Sequence, residues 1–396
     1  MANTNLVIDM VTRECQRIAH EKLTFIGTVD RQYDDSFQKP GAKIGSTLRI
    51  REPNQFTRRT GSRVMDVQDV TETADTLTVA TQDGVDIRFH SQELAQDVEY
   101  LSKRYFEPAM SVLVSGIEGD MLAAVTKDVY NVAGTAGTVP ADLAATGAAR
   151  AKLNQYLAPK DGQRCVQMDS VAMGTLVNGL KGLFQDSTQI KEQYREGMVG
   201  RTAMADFYEN ERTWTVTNGA DVVGAINQAA FVNGLTTLTV DGLTAAPVVG
   251  AVFTIADCYA VHPETKVAYS HLQQFTVTSS TTPTTTALSL DPPVRWTGAK
   301  QNIDAIPVDS AALTWVGSAS TAYRQNLMYH KEAFTFVTGD LPLMDDAHKC
   351  VRRVQDNLSL RCWLGSDIRN DELLMRIDVL YGWKTLRPEW ACRITS

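Results

Sequence analysis

The sequence predicts an α+β protein organised around one long apolar helix, with a small antiparallel β unit inserted between its parts. Three observations carry that reading. Between residues 108 and 130, Met110, Val114, Ile117, Met121, Val125 and Val129 recur in steps of three and four, which places them on one helical stripe that must bury. Near both ends of the chain, as at 47–51 and 373–379, polar and apolar residues alternate with the period of a half-buried strand. From residue 215 to about 307, charge nearly disappears, Thr, Val, Gly and Ala dominate, and strand candidates follow one another quickly.

Bulk composition narrows the classes. At 396 residues the chain is long enough for two or three packed cores. Hydrophobic residues make up 43% and charged residues 21%, so most of it should fold. No run of about 18 apolar residues occurs, which predicts no transmembrane helix. Residues 1–12 lack the basic and apolar regions of a secretory signal, which points to a cytoplasmic protein. Cys15, Cys165, Cys258, Cys350, Cys362 and Cys392 form no CxxC pair, so free, mostly buried thiols are expected instead of a zinc site or disulfide framework. A net charge of −8 argues against a protein that grips a nucleic-acid backbone, since that affinity comes from Lys and Arg displacing counterions.

In chain order, residues 5–25 begin as an amphipathic helix. Val7, Val11 and Ile18 share one face, with Leu6 and Met10 beside them and Asp9, Arg13, Glu14 and Arg17 elsewhere. That face packs either on its own domain or on a neighbouring chain. Residues 39–89 read as a long two-stranded arm. Stretches 47–51, 76–79 and 85–89 alternate, Asp83-Gly84 is a hairpin-turn signal, and 53–70 is polar, β-branched and rich in arginine. An isolated hairpin is marginal in water, so such an arm needs a surface to lie on. Arg49, Arg51, Arg58, Arg59 and Arg63 make it the most basic window of an acidic chain; they either attach the arm to an acidic neighbour or solvate a loop.

Ser91 is a good N-cap, with Glu93 in the first turn and Leu94, Val98, Leu101 and Tyr105 continuing a stripe. Pro108 then either starts a second helix or kinks one long one, and Gly134 ends it. After a flexible stretch at 134–147, helices at 142–157 and 170–184, the latter capped by Asp169 or Ser170, flank a strand at 165–168 and suggest a small α/β domain. Residues 174–181, GTLVNGLK, miss the phosphate-loop pattern. Lys181 comes one place late, no Ser or Thr follows it, and the glycines sit inside a helix pattern.

In the uncharged block, strands at 235–240, 252–255, 275–278 and 286–290 are separated by turn signals at Asp241-Gly242, His262-Pro263 and Asp291-Pro292-Pro293, with 279–286 a loop tip. They make a small barrel or sandwich with Val240, Val252, Phe253, Ile255, Phe275, Val277, Leu288 and Leu290 inside. Towards the C-terminus, strands are expected at 334–337, 358–364 and 373–379. Leu373, Met375, Ile377 and Val379 share one face there, and Arg376 and Asp378 the other. A sheet beside the long helix would bury both stripes in one core.

Catalytic signatures are missing. No nucleophile elbow, HExxH, dinucleotide-binding glycine fingerprint or calcium loop is present. His20, His90, His262, His271, His330 and His348 are dispersed, with only His262 and His271 sharing a block, and Asp34-Asp35 and Asp345-Asp346 sit in turn-like stretches. No catalytic, cofactor-binding or metal-ligating residue is assigned, and no cofactor is expected.

Three stretches in this order resemble the major capsid (coat) proteins of tailed bacteriophages, in the podophage branch with an inserted β-domain. Asn326-Leu327-Met328-Tyr329-His330-Lys331-Glu332-Ala333-Phe334 is similar to a segment common in those proteins. Val252-Phe253-Thr254-Ile255, Ala260 to Lys266 and Leu272-Gln273-Gln274-Phe275 resemble the inserted domain. Arg376-Ile377, Tyr381-Gly382 and Arg387-Pro388-Glu389 resemble the same branch near its C-terminus.

The resemblance implies the tailed-phage capsid fold over essentially the whole chain. It divides into an N-terminal arm (1–38), an extended β-hairpin loop (39–89), a peripheral domain with a spine helix (90–133), an axial α/β domain (134–214), an inserted β-barrel (215–307), an axial return (308–340) and peripheral C-terminal strands (341–396). It further implies a non-enzymatic virion protein assembling as hexamers and pentamers in the host bacterial cytoplasm. Scaffolding protein would act during assembly and a portal protein would occupy one vertex. Double-stranded DNA would be enclosed without sequence-specific binding, and no membrane is implied. Some capsids of this fold crosslink a loop lysine to a neighbour's asparagine. Here only Lys39 and Lys43 lie near the loop base, so non-covalent contacts through Arg49, Arg51, Arg58, Arg59 and Arg63 are expected. The other readings are an enzyme with an α/β core and a β-rich accessory domain, and a tail or adhesin component.

Overall fold

The computed structural model describes residues 4–32, 47–51, 53–59, 61–62, 65, 67–68, 74–90, 105–180, 200–202, 204–219, 223–243, 245–279, 287–344, 349–367, 369 and 372–395. Its elements in chain order are helices α1 (Thr4–Lys22) and α2 (Phe25–Thr28), strands β1 (Asp30–Gln32), β2 (Thr47–Arg51), β3 (Ala74–Thr78) and β4 (Thr81–His90), and helix α3 (Glu107–Asp128). Strand β5 (Val132–Ala133), helix α4 (Leu143–Gln155), strand β6 (Arg164–Met168) and helix α5 (Ser170–Leu180) follow. Next come β7 (Arg201–Thr202), β8 (Ala205–Glu209), β9 (Thr215–Thr217), β10 (Ala225–Ile226), β11 (Leu235–Asp241), β12 (Val252–Val261), β13 (Ala268–Ser279) and β14 (Ala287–Val294). The chain ends with β15 (Leu313–Trp315), β16 (Ala322–His330), β17 (Phe334–Gly339), β18 (Lys349–Gln355), β19 (Leu358–Asp367), β20 (Glu372–Thr385) and β21 (Ala391–Thr395). Two compact units result, one of residues 1–50, 74–121 and 334–384, the other of residues 51–73, 122–333 and 385–396.

In the first unit a six-stranded sheet runs β1-β17-β20-β19-β18, with β4 added along β20. Met375, Ile377 and Val379 alternate into its core, while Arg376 is exposed on the opposite face. Asp378 shares that opposite face but is buried, held by Arg361 at 2.5 Å. Ala19, Leu23, Ile26, Met110, Val114 and Ile117 close over Phe336, Leu358, Leu360 and Val379, so the helical and strand stripes do share one core. Val11, Cys15, Ile18 and Ala19 of α1 are buried, and α1 lies on β18 and β19: its apolar face packs on its own chain. Glu118, on the buried side of α3, accepts the backbone N–H of Thr24 (3.0 Å), Phe25 and Ile26 (3.3 Å) and the Thr24 hydroxyl (3.1 Å), and so caps α2.

The five stripe residues within α3 and Val129 just beyond its end are all buried, and Pro108 sits in the first turn, where a missing N–H costs nothing. The helix expected between Ser91 and Tyr105 falls almost wholly outside the described residues. Contrary to the run-length expectation, α3 is by length and mean hydropathy (1.3) apolar enough to cross a membrane. Its Gly, Ala, Ser and Thr residues interrupt the apolar run without making it polar, and half of the stretch is buried as a core helix.

The hairpin expected at Asp83-Gly84 does not form. Both residues lie inside β4, where Gly84 pairs with Asp378 and Asp83 with Val379, and the two-stranded arm is β2 with β3. A Cβ at Gly84 would meet Asp378 Oδ1 and Ile377 O (2.7 Å), so this glycine serves close strand packing and not a turn.

In the second unit a seven-stranded mixed sheet runs β5-β21-β16-β6-β8-β7, with β9 also on β16. Leu153 of α4 and Met173 and Leu176 of α5 cover Val166, Met168, Phe207, Met328 and Ile394 of the sheet. Asp142 caps α4 by accepting the Ala144 N–H (2.9 Å), and α5 starts at Ser170 as expected. Residues 174–180 of the rejected phosphate-loop lookalike are helical, and Lys181 lies outside the described residues. The long helix ends at Asp128, not at Gly134, because Val132 and Ala133 pair in parallel with Arg393 and Ile394 of β21. Gly134, at φ +87°, turns the chain after that strand.

The other sheet of this unit runs β10-β11-β14-β13-β12-β15, antiparallel throughout. An Ala225–Ala312 bridge beside β15 joins the two ends, closing a small barrel. All eight interior residues named from the sequence are buried. Asp291-Pro292-Pro293 belongs to β14 instead of forming a turn. Asp291 pairs with Thr276 and Val294 with Leu235, and the prolines fall beyond the last β13 pair and within the irregularity of the β11 ladder, where no N–H is needed. The expected loop tip at 279–286 lies almost wholly outside the described residues.

Candidate functional site

Arg49 and Arg51 alternate on β2 and so share a face; both are exposed, as are Arg58 and Arg59 in the loop that follows, while Arg63 lies outside the described residues. The same segment exposes Phe56, Met65 and Val67 by 60%, 82% and 76%. Thr57 N–H donates to Gln68 Oε1 (2.8 Å) and Gln68 Nε2 donates to Thr57 O (2.7 Å), clamping the two sides of the loop together. Sequence reasoning found the arginines and missed the three apolar residues, which have no periodicity to betray them.

A second set of residues ties the barrel to the mixed sheet. Gln274 of β13 accepts the Val132 N–H (2.9 Å) and donates to the Val132 carbonyl (3.2 Å), as a neighbouring strand would. Tyr156 donates to Gln273 Oε1 (2.8 Å), and Tyr269 to the Gln155 carbonyl (3.3 Å). Arg393 of β21 is fully buried; its Nη1 donates to Gly250 O (2.6 Å) and its Nη2 to Lys127 O (3.0 Å) and Thr276 Oγ1 (3.3 Å). The Arg393 guanidinium and the Lys127 ammonium both face the Trp214 ring, at 5.9 and 5.4 Å. Burial lowers the Arg393 pKa to about 9, against the pull of Asp128, so it stays cationic at neutral pH. Gly250 fits here at φ +90° because a Cβ would lie 2.8 Å from Lys127 Cγ.

The stretches that resembled coat proteins occupy structural positions. The first is β16, central in its sheet, with Asn326 Oδ1 accepting the Asp169 N–H (3.0 Å) and buried His330 against Asp161 (3.1 Å). In the second, His262 Nδ1 accepts the N–H groups of Glu264 (3.1 Å) and Thr265 (3.2 Å), holding the β12–β13 turn. In the third, Tyr381 donates to Asp83, a Cβ on Gly382 would strike the Thr78 carbonyl, and Arg387 stacks on Trp390 at 4.0 Å.

Among the described residues no cluster of His, Cys, Asp and Glu could hold a metal, and a tyrosine ring stands between His262 and His271. All six cysteines are free, and burial pushes the thiols of Cys15, Cys258, Cys362 and Cys392 up to about 12, which leaves them unreactive.

Residues 41–393 match the family described as P22 coat protein, gene protein 5. Among solved structures the chain is similar to one titled Mycobacterium phage Che8, at 12% identity over 94% of this chain and 90% of that one, with a TM-score of 0.49. It is also similar to the mature capsid of bacteriophage PhiM1, at 11% identity over 94% and 86%, TM-score 0.43. The CUS-3 coat protein I-domain aligns at 24% identity over 24% of this chain and 96% of that one, TM-score 0.19. No curated protein matches. The match to the family, spanning nearly the full length, settles the assignment: this chain belongs to the P22 coat protein family and is a structural protein of a bacteriophage capsid.

Proposed function

We propose that copies of this chain associate as hexamers and pentamers into the icosahedral shell that encloses phage DNA. Family membership supports the coat role. The exposed arm, with arginines and three large apolar side chains held by the Thr57–Gln68 clamp, is the observation that carries self-association. Arg49, Arg51, Arg58, Arg59 and Arg63 serve as inter-subunit contacts in this reading, and the shell has no enzymatic role. A net charge of −8 suits a container, since a coat that gripped DNA would hinder its packaging and release. The proposal extends to scaffolding protein as an assembly partner, a portal protein at one vertex and assembly in the host cytoplasm. It includes the division into arm, extended loop, spine, axial and peripheral domains and inserted barrel. Negative-stain microscopy of the expressed chain, with and without its phage's scaffolding protein, should show closed shells. Uniform monomers under every condition would refute the proposal.

A further inference from the structure

The seam between the barrel and the mixed sheet holds a cavity of about 10 Å³, room for one water-sized particle. The strand registers identify its floor. Arg393 and Thr395 lie two apart on β21 and so share a face; Thr395 pairs with Gln325 of β16, and Arg393 with Val132 of β5. All four line the cavity, and Ala251, Val252 and Val316 line it from the barrel side.

Arg393 sets the electrostatics of this cavity. It is buried, and its hydrogen-bond partners are all neutral: the Gly250 and Lys127 carbonyls and the Thr276 hydroxyl. Its Nε, equally buried, has no partner. Asp128 acts on the guanidinium through space, while its Oδ2 accepts the Thr385 hydroxyl (2.7 Å). The Lys127 ammonium, facing the same Trp214 ring, adds a second positive charge. A buried ion without a counter-charge is costly, and a cation with a spare N–H is matched best by an anion. Water would satisfy the N–H and leave the charge unmatched. A second donor is at hand: the Thr395 hydroxyl accepts Gln325 Nε2 (3.1 Å), which leaves its own O–H to donate. We propose that this cavity binds one chloride ion, with Arg393 Nε and the Thr395 hydroxyl as its donors. The small volume excludes polyatomic anions, and the bound ion fastens the final strand to the barrel.

The unassembled full-length subunit provides the test. Chloride that binds only the folded chain stabilises it by mass action. Its melting temperature should therefore rise saturably with sodium chloride or bromide and stay lower in sodium gluconate of equal ionic strength. The chloride-35 resonance should broaden in the presence of the subunit, and bromide should reverse the broadening. Arg393→Met should abolish both effects. Thr395→Val keeps the shape and removes one donor, so it should fold and bind chloride about tenfold more weakly, the loss of one hydrogen bond to a charged group. That variant decides the matter if the methionine chain does not fold. Equal melting in chloride and gluconate, the result expected if water alone enters, overturns the proposal. So does chloride broadening that Thr395→Val leaves unchanged.

Discussion

Replacing Arg393 by methionine should loosen the attachment of the barrel to the mixed sheet. The guanidinium is fully buried and donates to two main-chain carbonyls, of Gly250 at 2.6 Å and Lys127 at 3.0 Å, and to the Thr276 hydroxyl at 3.3 Å. Hydrogen bonds from a charged donor contribute roughly 1.5–3 kcal/mol each. Losing the two short ones therefore removes about 3–6 kcal/mol and leaves two buried carbonyls unmatched. Against that stands the cost of burying the charge, several kcal/mol by general experience with buried ions, which methionine avoids. Arg393 Nε has no hydrogen-bond partner, so the parent does not recover that cost in full. The net expectation is a loss of about 3 kcal/mol for Arg393→Met. Arg393→Lys should lose a comparable amount, because one ammonium cannot reach three acceptors that a planar fork serves. Urea unfolding of the unassembled subunit, followed by tryptophan fluorescence, measures this, since Trp214 lies against the guanidinium. A methionine variant as stable as the parent would show that the hydrogen bonds only balance the buried charge, and that the glutamine and tyrosine contacts hold the barrel alone.

Four further outcomes follow from the same geometry. Changing Arg58, Arg59 and Arg63 together to Ala should leave the monomer's melting unchanged and make shells less resistant to heat and denaturant; each exposed pair contributes only about 0–1 kcal/mol, but a shell repeats it in every subunit. Glu118→Ala strands the N–H groups of Thr24, Phe25 and Ile26 and should cost about 3 kcal/mol, with Glu118→Gln recovering part of it in a thermal melt. His271, stacked on Tyr269 with its Nε2 buried and unpartnered, has its pKa lowered from 6.5 to about 4 by burial and then by Lys152. Its folded form stays neutral while the unfolded chain takes up a proton, so stability present above pH 6.5 should decline towards pH 4 by about 1–2 kcal/mol after solvent screening, and His271→Gln should flatten that slope. Finally, an excised 215–307 fragment should be soluble and fold cooperatively, with marginal stability for its size. Extending it to residue 316 should raise its melting temperature, because β15 then covers the Phe253–Ile255 edge.

Local periodicity made part of this molecule legible and non-local pairing hid the rest. The α3 stripe and the barrel interior could be named residue by residue because burial imposes periods of 3.6 and 2 on neighbouring positions. Gly84 could not be read correctly. A glycine between strand-like stretches looks like a turn until β20 is known to pass beside it. The same holds for Asp291-Pro292-Pro293 and for the early end of α3, which depends on β21 supplying a partner to Val132. Glu118 and Arg393 each interrupt an apolar run, a signal that existed, yet exposed charges such as Arg376 interrupt strands in the same way.

The order of strands in the second unit has a consequence for how the chain reaches this state. β21 lies between β5 and β16, pairing Val132 with Arg393 and Gln325 with Thr395, so the mixed sheet cannot be complete until the last residues are in place. The barrel needs nothing from that far away, since all its strands lie between Ala225 and Trp315. Just outside it, β9 pairs with β16 through Val216 and Tyr323. A closed barrel thus brings together the two ends of a long excursion and removes most of the loop-closure entropy that β6 and β16 would otherwise face when they pair. Gln273, Gln274 and Thr276 on one barrel strand are then presented together to Tyr156, Val132 and Lys127. A polar seam suits that role better than an apolar one. It can be exposed to water while the sheet is still incomplete without inviting aggregation, and it gains three further hydrogen bonds when Arg393 arrives with the final strand.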